Sequence, residues 1–262
     1  MSAGRTALGT LLALALGYAA LCAWLYAGQR QMVYFPAATR VAARETDFVL
    51  RHEGETLRGW VLNRDAERAL LYFGGNAEAV AANRAAFARW FPEHAVYLVA
   101  YRGYGASTGT PEEAALVSDA RFLFDVVSSR HRSVDVIGRS LGSGVASQLA
   151  ANRPIARLVL VTPFDSLAAV GQAHYPWLPV QWLARDRYDS ARHLADYRGP
   201  VLVVRAEHDA LIPADSTRRL AEALPQPPRI VVLEGAGHNG FDAAPAYARA
   251  LQAFLDDRPA SD

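Results

Sequence analysis

The chain of 262 residues has no lysine, one cysteine and two methionines. Its 27 basic residues are all arginines, which excludes mechanisms that need a lysine amine, such as a Schiff base or a P-loop phosphate site. One cysteine allows neither an intramolecular disulfide nor a cysteine metal cluster. The formal net charge is +1, so nothing in the composition predicts a nucleic-acid partner. The 52% hydrophobic and 20% charged residues that are present are typical of a globular domain with one large core.

A long apolar run lies near the amino terminus. Residues 7–28 carry no charge, and as a helix they would extend about 33 Å, against roughly 30 Å for the hydrocarbon core of a bilayer. Arg5 and Arg30 flank the run, and Trp24 and Tyr26 lie near one end, where aromatic rings favour the membrane interface. The run predicts a single-pass anchor at residues 1–30 in contact with membrane lipid, on a side of the membrane that the nearly balanced arginines leave open. The alternative is a cleaved signal peptide, although its apolar segment usually has about 7–15 residues.

From about residue 48 onward, short apolar runs alternate with longer helical patterns. The strand candidates are residues 57–62, 69–73, 96–101, 134–138, 158–162, 201–205 and 229–233. The helix candidates are residues 79–90, 111–129, 140–152, 214–223 and 245–256, the second with Pro111 as its first residue. Nearly continuous Val, Leu and Ile suit strands buried on both faces of a parallel sheet. We therefore predict one α/β domain at residues 31–262, with a mostly parallel central sheet flanked by helices and functional residues at the carboxyl ends of the strands.

The candidate nucleophile is Ser140. The strand candidate 134–138 leads directly into the G-x-S-x-G pattern at 138–142, and a helical pattern follows. In this strand–turn–helix context the serine occupies a sharp, strained turn that exposes its hydroxyl above the sheet. The two flanking glycines are expected where strand and helix approach too closely for a Cβ atom.

A histidine and a carboxylate after later strands complete the predicted catalytic set, in the chain order Ser, acid, His. His238 lies in a glycine-rich loop after the last strand candidate, where an imidazole can be held over Ser140. Asp209 follows the strand candidate 201–205 and would fix the tautomer and orientation of the imidazole. Asp165 is the main rival for the acid and Glu207 the third candidate, and both are otherwise interpreted as loop carboxylates that cap a helix. The histidines in polar, surface-like contexts are His52, His94, His131 and His193.

Acyl transfer builds negative charge on the substrate carbonyl oxygen, and two backbone N–H groups are expected to stabilise it. One is the amide of Leu141, directly after the nucleophile. The other is assigned to the loop at 73–78, where Asn76 is the predicted donor and Gly75 the runner-up. The alternative interpretation of this loop is an ordinary Gly-Gly turn.

Further segments resemble the membrane-anchored abhydrolase-domain proteins related to serine aminopeptidases and protein depalmitoylases. They are Gln-Met-Val-Tyr-Phe-Pro at 31–36, Tyr-Arg-Gly-Tyr-Gly at 101–105, Arg-Asp-Arg-Tyr-Asp-Ser at 185–190 and Gly-His-Asn at 237–239. The resemblance covers nearly the whole chain and implies an α/β-hydrolase fold with a triad of Ser140, Asp209 and His238. One departure is Gly74, which stands where the family usually has the histidine of His-Gly-Asn; the backbone donors of the loop do not depend on that side chain.

The predicted reaction is a two-step acyl transfer through an acyl-enzyme on Ser140, with no metal or organic cofactor. Residues 166–197 are expected to form a small cap, whose aromatic side chains either cover an apolar pocket or simply pack onto the core. An apolar cap beside an anchor favours an esterase or thioesterase that acts on acylated or lipid-like substrates. Aminopeptidase-like amide hydrolysis is the second hypothesis, because fold alone fixes neither bond nor substrate. A non-catalytic, membrane-anchored binding protein is the third; the intact triad argues against it, and the sequence leaves the oligomeric state open.

Overall fold

The computed structural model describes residues 2–242 and 244–256. The chain begins with a long helix, α1 (Ser2–Val33), whose residues 4–21 are exposed. Within the described residues, one stretch, Gly4–Thr39, is long and apolar enough to cross a membrane by length and composition, a test that a signal sequence also passes. The helix continues past residue 30, where the anchor is predicted to end, and stops before Pro36, which disfavours helical backbone in the residue ahead of it.

A mostly parallel sheet forms the centre of the molecule. Its strands are β1 (Phe48–His52), β2 (Glu55–Leu62), β3 (Arg68–Phe73), β4 (His94–Val99), β5 (Ser133–Arg139), β6 (Leu158–Val161), β7 (Val201–His208) and β8 (Arg229–Gly237). Within the described part of the chain these eight strands lie in the order β1-β2-β4-β3-β5-β6-β7-β8. β2 pairs antiparallel with β1 and β4, and the remaining neighbours are parallel. The predicted α/β-hydrolase architecture is confirmed.

Helices cover both faces of the sheet. They are α2 (Arg84–Trp90), α3 (Glu113–Ser128), α4 (Leu141–Ala150), α5 (Leu167–His174), α6 (Val180–Leu183), α7 (Ser190–Leu194), α8 (Ala214–Ala223) and α9 (Pro245–Leu255). Because side chains alternate along a strand, neighbouring strand residues such as Leu70 and Leu71 enter two separate hydrophobic clusters. One cluster includes residues of α3, α4 and α8, and the other includes residues of α2 and α9. The central strands are therefore buried on both faces, as their apolar runs predict.

The start of α3 differs from the prediction. The helix begins at Glu113, with Glu112 extended ahead of it, so Pro111 is not the first helical residue. A Cβ atom added to Gly103 would meet the Pro111 ring at 2.9 Å, and Gly103 has a φ of +81°. Pro111 thus closes the loop after β4, and the chain turns into α3 only afterwards. The strand candidate 96–101 likewise ends at Val99, because a turn at Tyr101–Tyr104 follows it.

The position of His94 also differs from the prediction. Its polar sequence context predicts a surface position, but it is fully buried at the start of β4. Its Nε2 atom lies 3.0 Å from Asp135 Oδ2 on β5, and Arg68 on β3 donates to the same carboxylate at 2.7 Å. His94, Arg68 and Asp135 all lie near the first residues of their strands. This cluster is therefore at the amino ends of the parallel strands, at the edge of the sheet opposite Ser140.

Candidate active site

Ser140 occupies a tight turn between β5 and α4. Its φ of 48° and ψ of −115° are strained for a residue with a side chain. A Cβ atom added to Gly138 would lie 2.4 Å from the Gly142 carbonyl oxygen, and one added to Gly142 would lie 2.0 Å from the Phe73 oxygen. Neither contact is possible, so both glycines of the pattern are required for the close approach of β5, α4 and β3.

The last two strands carry His238 and Asp209 to the same edge. His208 pairs with Gly237 at the end of β7 and β8, beyond a bulge between Ala206 and His208. Asp209 and His238, which directly follow these two paired residues, therefore lie beside each other. His238 Nδ1 lies 2.8 Å from Asp209 Oδ2, and its Nε2 lies 3.0 Å from Ser140 Oγ. The structure thus brings the three predicted side chains together in one hydrogen-bonded line.

Asp209 is held as an ionised acceptor. Burial alone would raise the pKa of its carboxyl, but hydrogen bonds from His238 and from the N–H groups of Ile212 and Leu211 outweigh it and lower the pKa. The carboxylate accepts a hydrogen bond from the N–H group at Nδ1 of His238. The Nε2 lone pair is then available to accept the proton of the Ser140 hydroxyl.

The rival carboxylates are engaged elsewhere. Asp165 accepts from the Ser216 hydroxyl at 2.5 Å and from Arg219 Nε at 2.6 Å, both on α8. Glu207 accepts from the N–H of Gly235 at 2.8 Å. Asp165 therefore joins the loop after β6 to α8, Glu207 joins β7 to β8, and Asp209 is the carboxylate that contacts His238.

The two predicted oxyanion donors, Leu141 and Asn76, lie on different elements and line the same cavity as Ser140. The N–H of Leu141 opens α4, where a helix offers no internal acceptor. The N–H of Gly75 is taken by Glu78 Oε2 at 2.6 Å, which leaves Asn76 as the better candidate in its loop. The Asn76 side chain is fixed by a donation to the Val33 carbonyl at 2.5 Å and by acceptance from the Tyr104 hydroxyl at 2.8 Å.

The glycine at the family's histidine position has a local explanation. A Cβ atom on Gly74 would lie 2.7 Å from Val80 Cγ1, so a side chain there would collide with the turn that follows. The Gly74 carbonyl accepts instead from the Tyr101 hydroxyl at 2.8 Å. The hydrogen bond from Tyr101 therefore holds the loop without a side chain at residue 74.

A mostly apolar cavity of about 530 Å³ opens beside Ser140. Asn76 and Leu141 line it together with the serine. Its other walls come from α1, from α5 and α6 of the cap segment, and from the loop after β7. A volume of this size is in the range of pockets that enclose a small ligand.

Comparison with known proteins agrees with this architecture. An uncharacterized protein of Mycobacterium tuberculosis is 37% identical over 231 residues, which cover 82% of each chain, and a family model described as TAP-like protein matches residues 176–260. Among solved structures, an alpha/beta hydrolase enzyme from a Medee basin deep-sea metagenome library has a TM-score of 0.66 at 16% identity, covering 82% of this chain and 99% of the other. The chain belongs to the α/β hydrolases. The predicted family resemblance is confirmed.

Other relatives of this α/β hydrolase have named activities. Lysophosphatidylserine lipase ABHD12 of Danio rerio is 30% identical over 146 residues, which cover 48% of this chain and 38% of the lipase. The esterase Pf2001 of Pyrococcus furiosus has a TM-score of 0.65 at 17% identity, covering 80% of this chain and 89% of the esterase. The structural match agrees with the α/β-hydrolase fold, and neither match fixes the reaction or the substrate of this chain.

Arg139 is a part of the hydrolase site that sequence reasoning missed. Its buried guanidinium lies 5.0 Å from the centre of the Phe241 ring and donates to Asn239 Oδ1 at 3.2 Å. It also lies 3.5 Å from Glu78 Oε2. Arg139 therefore joins the loop of His238 to the loop of Asn76 from a position next to Ser140. In the sequence, the signal that could have identified it is a large cation inside the G-x-S-x-G pattern.

Proposed function

We propose that this α/β hydrolase is a membrane-anchored serine hydrolase that cleaves acyl esters or thioesters through an acyl-enzyme on Ser140. The observation that carries the proposal is the position of His238, 3.0 Å from the Ser140 hydroxyl and 2.8 Å from Asp209. The first distance is within the reach at which a general base abstracts a proton, and the second is that of a hydrogen bond that orients the base.

In the proposed mechanism, His238 Nε2 accepts the Ser140 proton while Oγ attacks the substrate carbonyl carbon. The oxyanion receives hydrogen bonds from the amides of Leu141 and Asn76, and the positive end of the α4 dipole favours the same charge. The His238 imidazolium then protonates the leaving group, and the acyl group stays on Ser140. A water molecule, deprotonated by His238, releases the acid and restores the hydroxyl.

The cavity favours an acyl group over an aminoacyl group. Among its described lining residues, the ionisable carboxylate is Asp186, and Arg30 donates to both of its oxygens, at 3.1 and 3.3 Å. An ammonium group would therefore enter an apolar space with no free carboxylate to balance it, which is costly. This argument supports ester or thioester cleavage over aminopeptidase-like cleavage.

Labelling and turnover test the proposal on the full-length protein. Wild type is expected to react with a fluorophosphonate probe and to hydrolyse p-nitrophenyl esters, while Ser140→Ala loses both activities. Ser143→Ala is a matched control, because Ser143 is buried one turn further along α4 and donates to the Ser140 carbonyl. Equal labelling of Ser140→Ala and wild type would exclude the assignment. Faster turnover of aminoacyl p-nitroanilides than of acyl esters would favour the aminopeptidase hypothesis, and no turnover of any ester would favour a binding protein.

A further inference from the structure

The helix α1 forms one wall of the cavity that contains Ser140. The lining residues Leu21, Leu25 and Gln29 are spaced by four and so lie on one face of the helix. The opposite wall is formed by the cap helices α5 and α6, through residues such as Ala168 and Leu183. The proposed membrane anchor is thus also part of the proposed binding site.

Polar contacts fix α1 against the cap along a considerable length. Near the middle of the helix, the Tyr18 hydroxyl donates to the Trp177 carbonyl at 2.8 Å. Further along, Gln29 accepts from the N–H of Arg185 at 2.7 Å and donates to the Leu183 carbonyl at 3.1 Å. The interval from residue 18 to residue 29 corresponds to about 16 Å at the helical rise of 1.5 Å per residue. The cap therefore follows α1 deep into the uncharged run.

The cap is charged where it contacts the charged end of α1 near Arg30, and it is aromatic where it contacts the uncharged part of α1 near Tyr18. Charged cap residues meet its domain end, where Asp186 pairs with Arg30. Aromatic cap residues lie toward Tyr18, and these are exposed rather than packed onto the core, with Trp177 60% and Trp182 89% exposed. Exposed aromatic side chains beside a spanning helix are typical of a surface that enters a bilayer.

We infer that the substrate reaches Ser140 from within the bilayer, as an acyl lipid of the adjacent leaflet whose chain slides between α1 and the cap. The uncharged run 7–28 has its middle near Tyr18, so the part of the cavity wall formed by Leu21 and Leu25 lies at the depth of acyl chains in that leaflet. A chain that follows this wall brings its carboxyl ester toward the domain end of α1, where Ser140 lies. This inference rests on the proposed function and adds the path and location of the substrate.

A bulky substitution in the cavity wall tests the proposed path of the substrate. Full-length protein in phosphatidylcholine vesicles is supplied with 4-methylumbelliferyl palmitate dissolved in the bilayer or with 4-methylumbelliferyl acetate in the buffer. Leu25→Trp narrows the gap, so the ratio of palmitate to acetate turnover is expected to fall at least about tenfold. Ala27→Trp adds the same ring at the same depth on an exposed part of α1 that does not line the cavity, and the ratio is expected to stay near that of wild type. An unchanged ratio in Leu25→Trp would overturn the inference.

Fluorescence quenching tests the location independently of turnover. Vesicles with brominated acyl chains are expected to quench the exposed Trp182, so Trp182→Phe lowers the quenched fraction of tryptophan emission. Trp60→Phe is the control, because Trp60 is buried in the domain and its loss leaves the quenched fraction no lower. A quenched fraction unaffected by Trp182→Phe would overturn the membrane location of the cap. Quenching without any ester turnover or fluorophosphonate labelling would instead refute the proposed function.

Discussion

At the scale of single residues, Asp209 decides which nitrogen of His238 carries the proton. Asp209→Asn presents an amide that can hold the ring in the wrong tautomer, so kcat for p-nitrophenyl esters is expected to fall about 10³–10⁴-fold. Asp165→Asn is the matched control, since it removes an equally buried carboxylate whose partners are Ser216 and Arg219. We expect it to lower stability and leave kcat near the wild-type value. A large loss of kcat in Asp165→Asn alone would reverse the assignment of the acid.

The lowered pKa of Asp209 also makes folding stability depend on pH. A carboxyl whose folded-state pKa is depressed contributes stability that is fully present above its unfolded-state pKa of about 3.9 and is lost as the pH falls through the lower folded-state value. The difference in melting temperature between wild type and Asp209→Asn is therefore expected to be constant from pH 7 to about pH 5 and to shrink below about pH 4. Thermal unfolding across this range checks the prediction; a difference that grows toward acid would contradict it.

Arg139 acts on the site through its neighbours, as a positioning residue. Arg139→Leu removes the contacts to Asn239 and Glu78 and leaves the triad side chains unchanged. Because the loops of His238 and Asn76 then lose a common tie, kcat for p-nitrophenyl acetate is expected to fall about 10–100-fold with little change in KM. Arg139→Lys, which keeps the charge without the planar fork, should recover part of kcat. A rise in KM at constant kcat would contradict a positioning role.

At the scale of elements, the turn at Ser140 depends on the absence of a side chain at Gly142. Gly142→Ala places a Cβ atom 2.0 Å from the Phe73 carbonyl, so β3 and α4 must separate. The free energy of unfolding is expected to fall by about 3 kcal/mol or more. Gly28→Ala is the control, because nothing lies within 4 Å of its added Cβ and alanine is the better helix former. Circular dichroism during heating distinguishes a large loss for Gly142→Ala from an unchanged or raised midpoint for Gly28→Ala.

The central strands could be predicted from the sequence, and so could the start of the edge strand β8, but the opposite edge strand, β1, could not. β5 and β6 were located to within a residue at each end, because strands buried on both faces are continuous apolar runs. β1 was missed, because at the edge of the sheet only Phe48 and Leu50 of its five residues are buried. The predicted helix 79–90 divides into a 3₁₀ turn, Val80–Asn83, and α2, which periodicity alone does not distinguish.

The candidate site could likewise be predicted only in part from the sequence. The position of Ser140, Asp209 and His238 directly after three strands of one parallel sheet was enough to predict that they meet, because parallel strands end at one edge. The contact of Asn76 with Val33 and the cavity wall on α1 could not be predicted. Both depend on how a helix packs against loops that are 43 to 159 residues away along the chain, and local patterns carry no record of such packing.

At the scale of the whole molecule, the ion pair between Arg30 and Asp186 joins helix α1, the proposed anchor, to the rest of the chain. Arg30→Met leaves the Asp186 carboxylate, which is 5% exposed, without its counter-ion. The free energy of unfolding is expected to fall by about 1–3 kcal/mol. Arg218→Met is the control, since its pair with Glu222 is exposed and worth at most about 0.5 kcal/mol. Unfolding in detergent micelles compares the two, and equal losses would argue against a structural role for the Arg30 pair.

The hydrogen bond from Asn76 to Val33 ties the loop beside Ser140 to the last turn of α1. The tilt of a spanning helix follows the length of the surrounding phospholipid chains. If α1 spans a bilayer as proposed, a change of its tilt would move the loop that carries the backbone N–H of Asn76, and turnover of a water-soluble ester should differ between vesicles of short-chain and long-chain phosphatidylcholine. An enzyme connected in this way would report the thickness of its host bilayer as a change in rate.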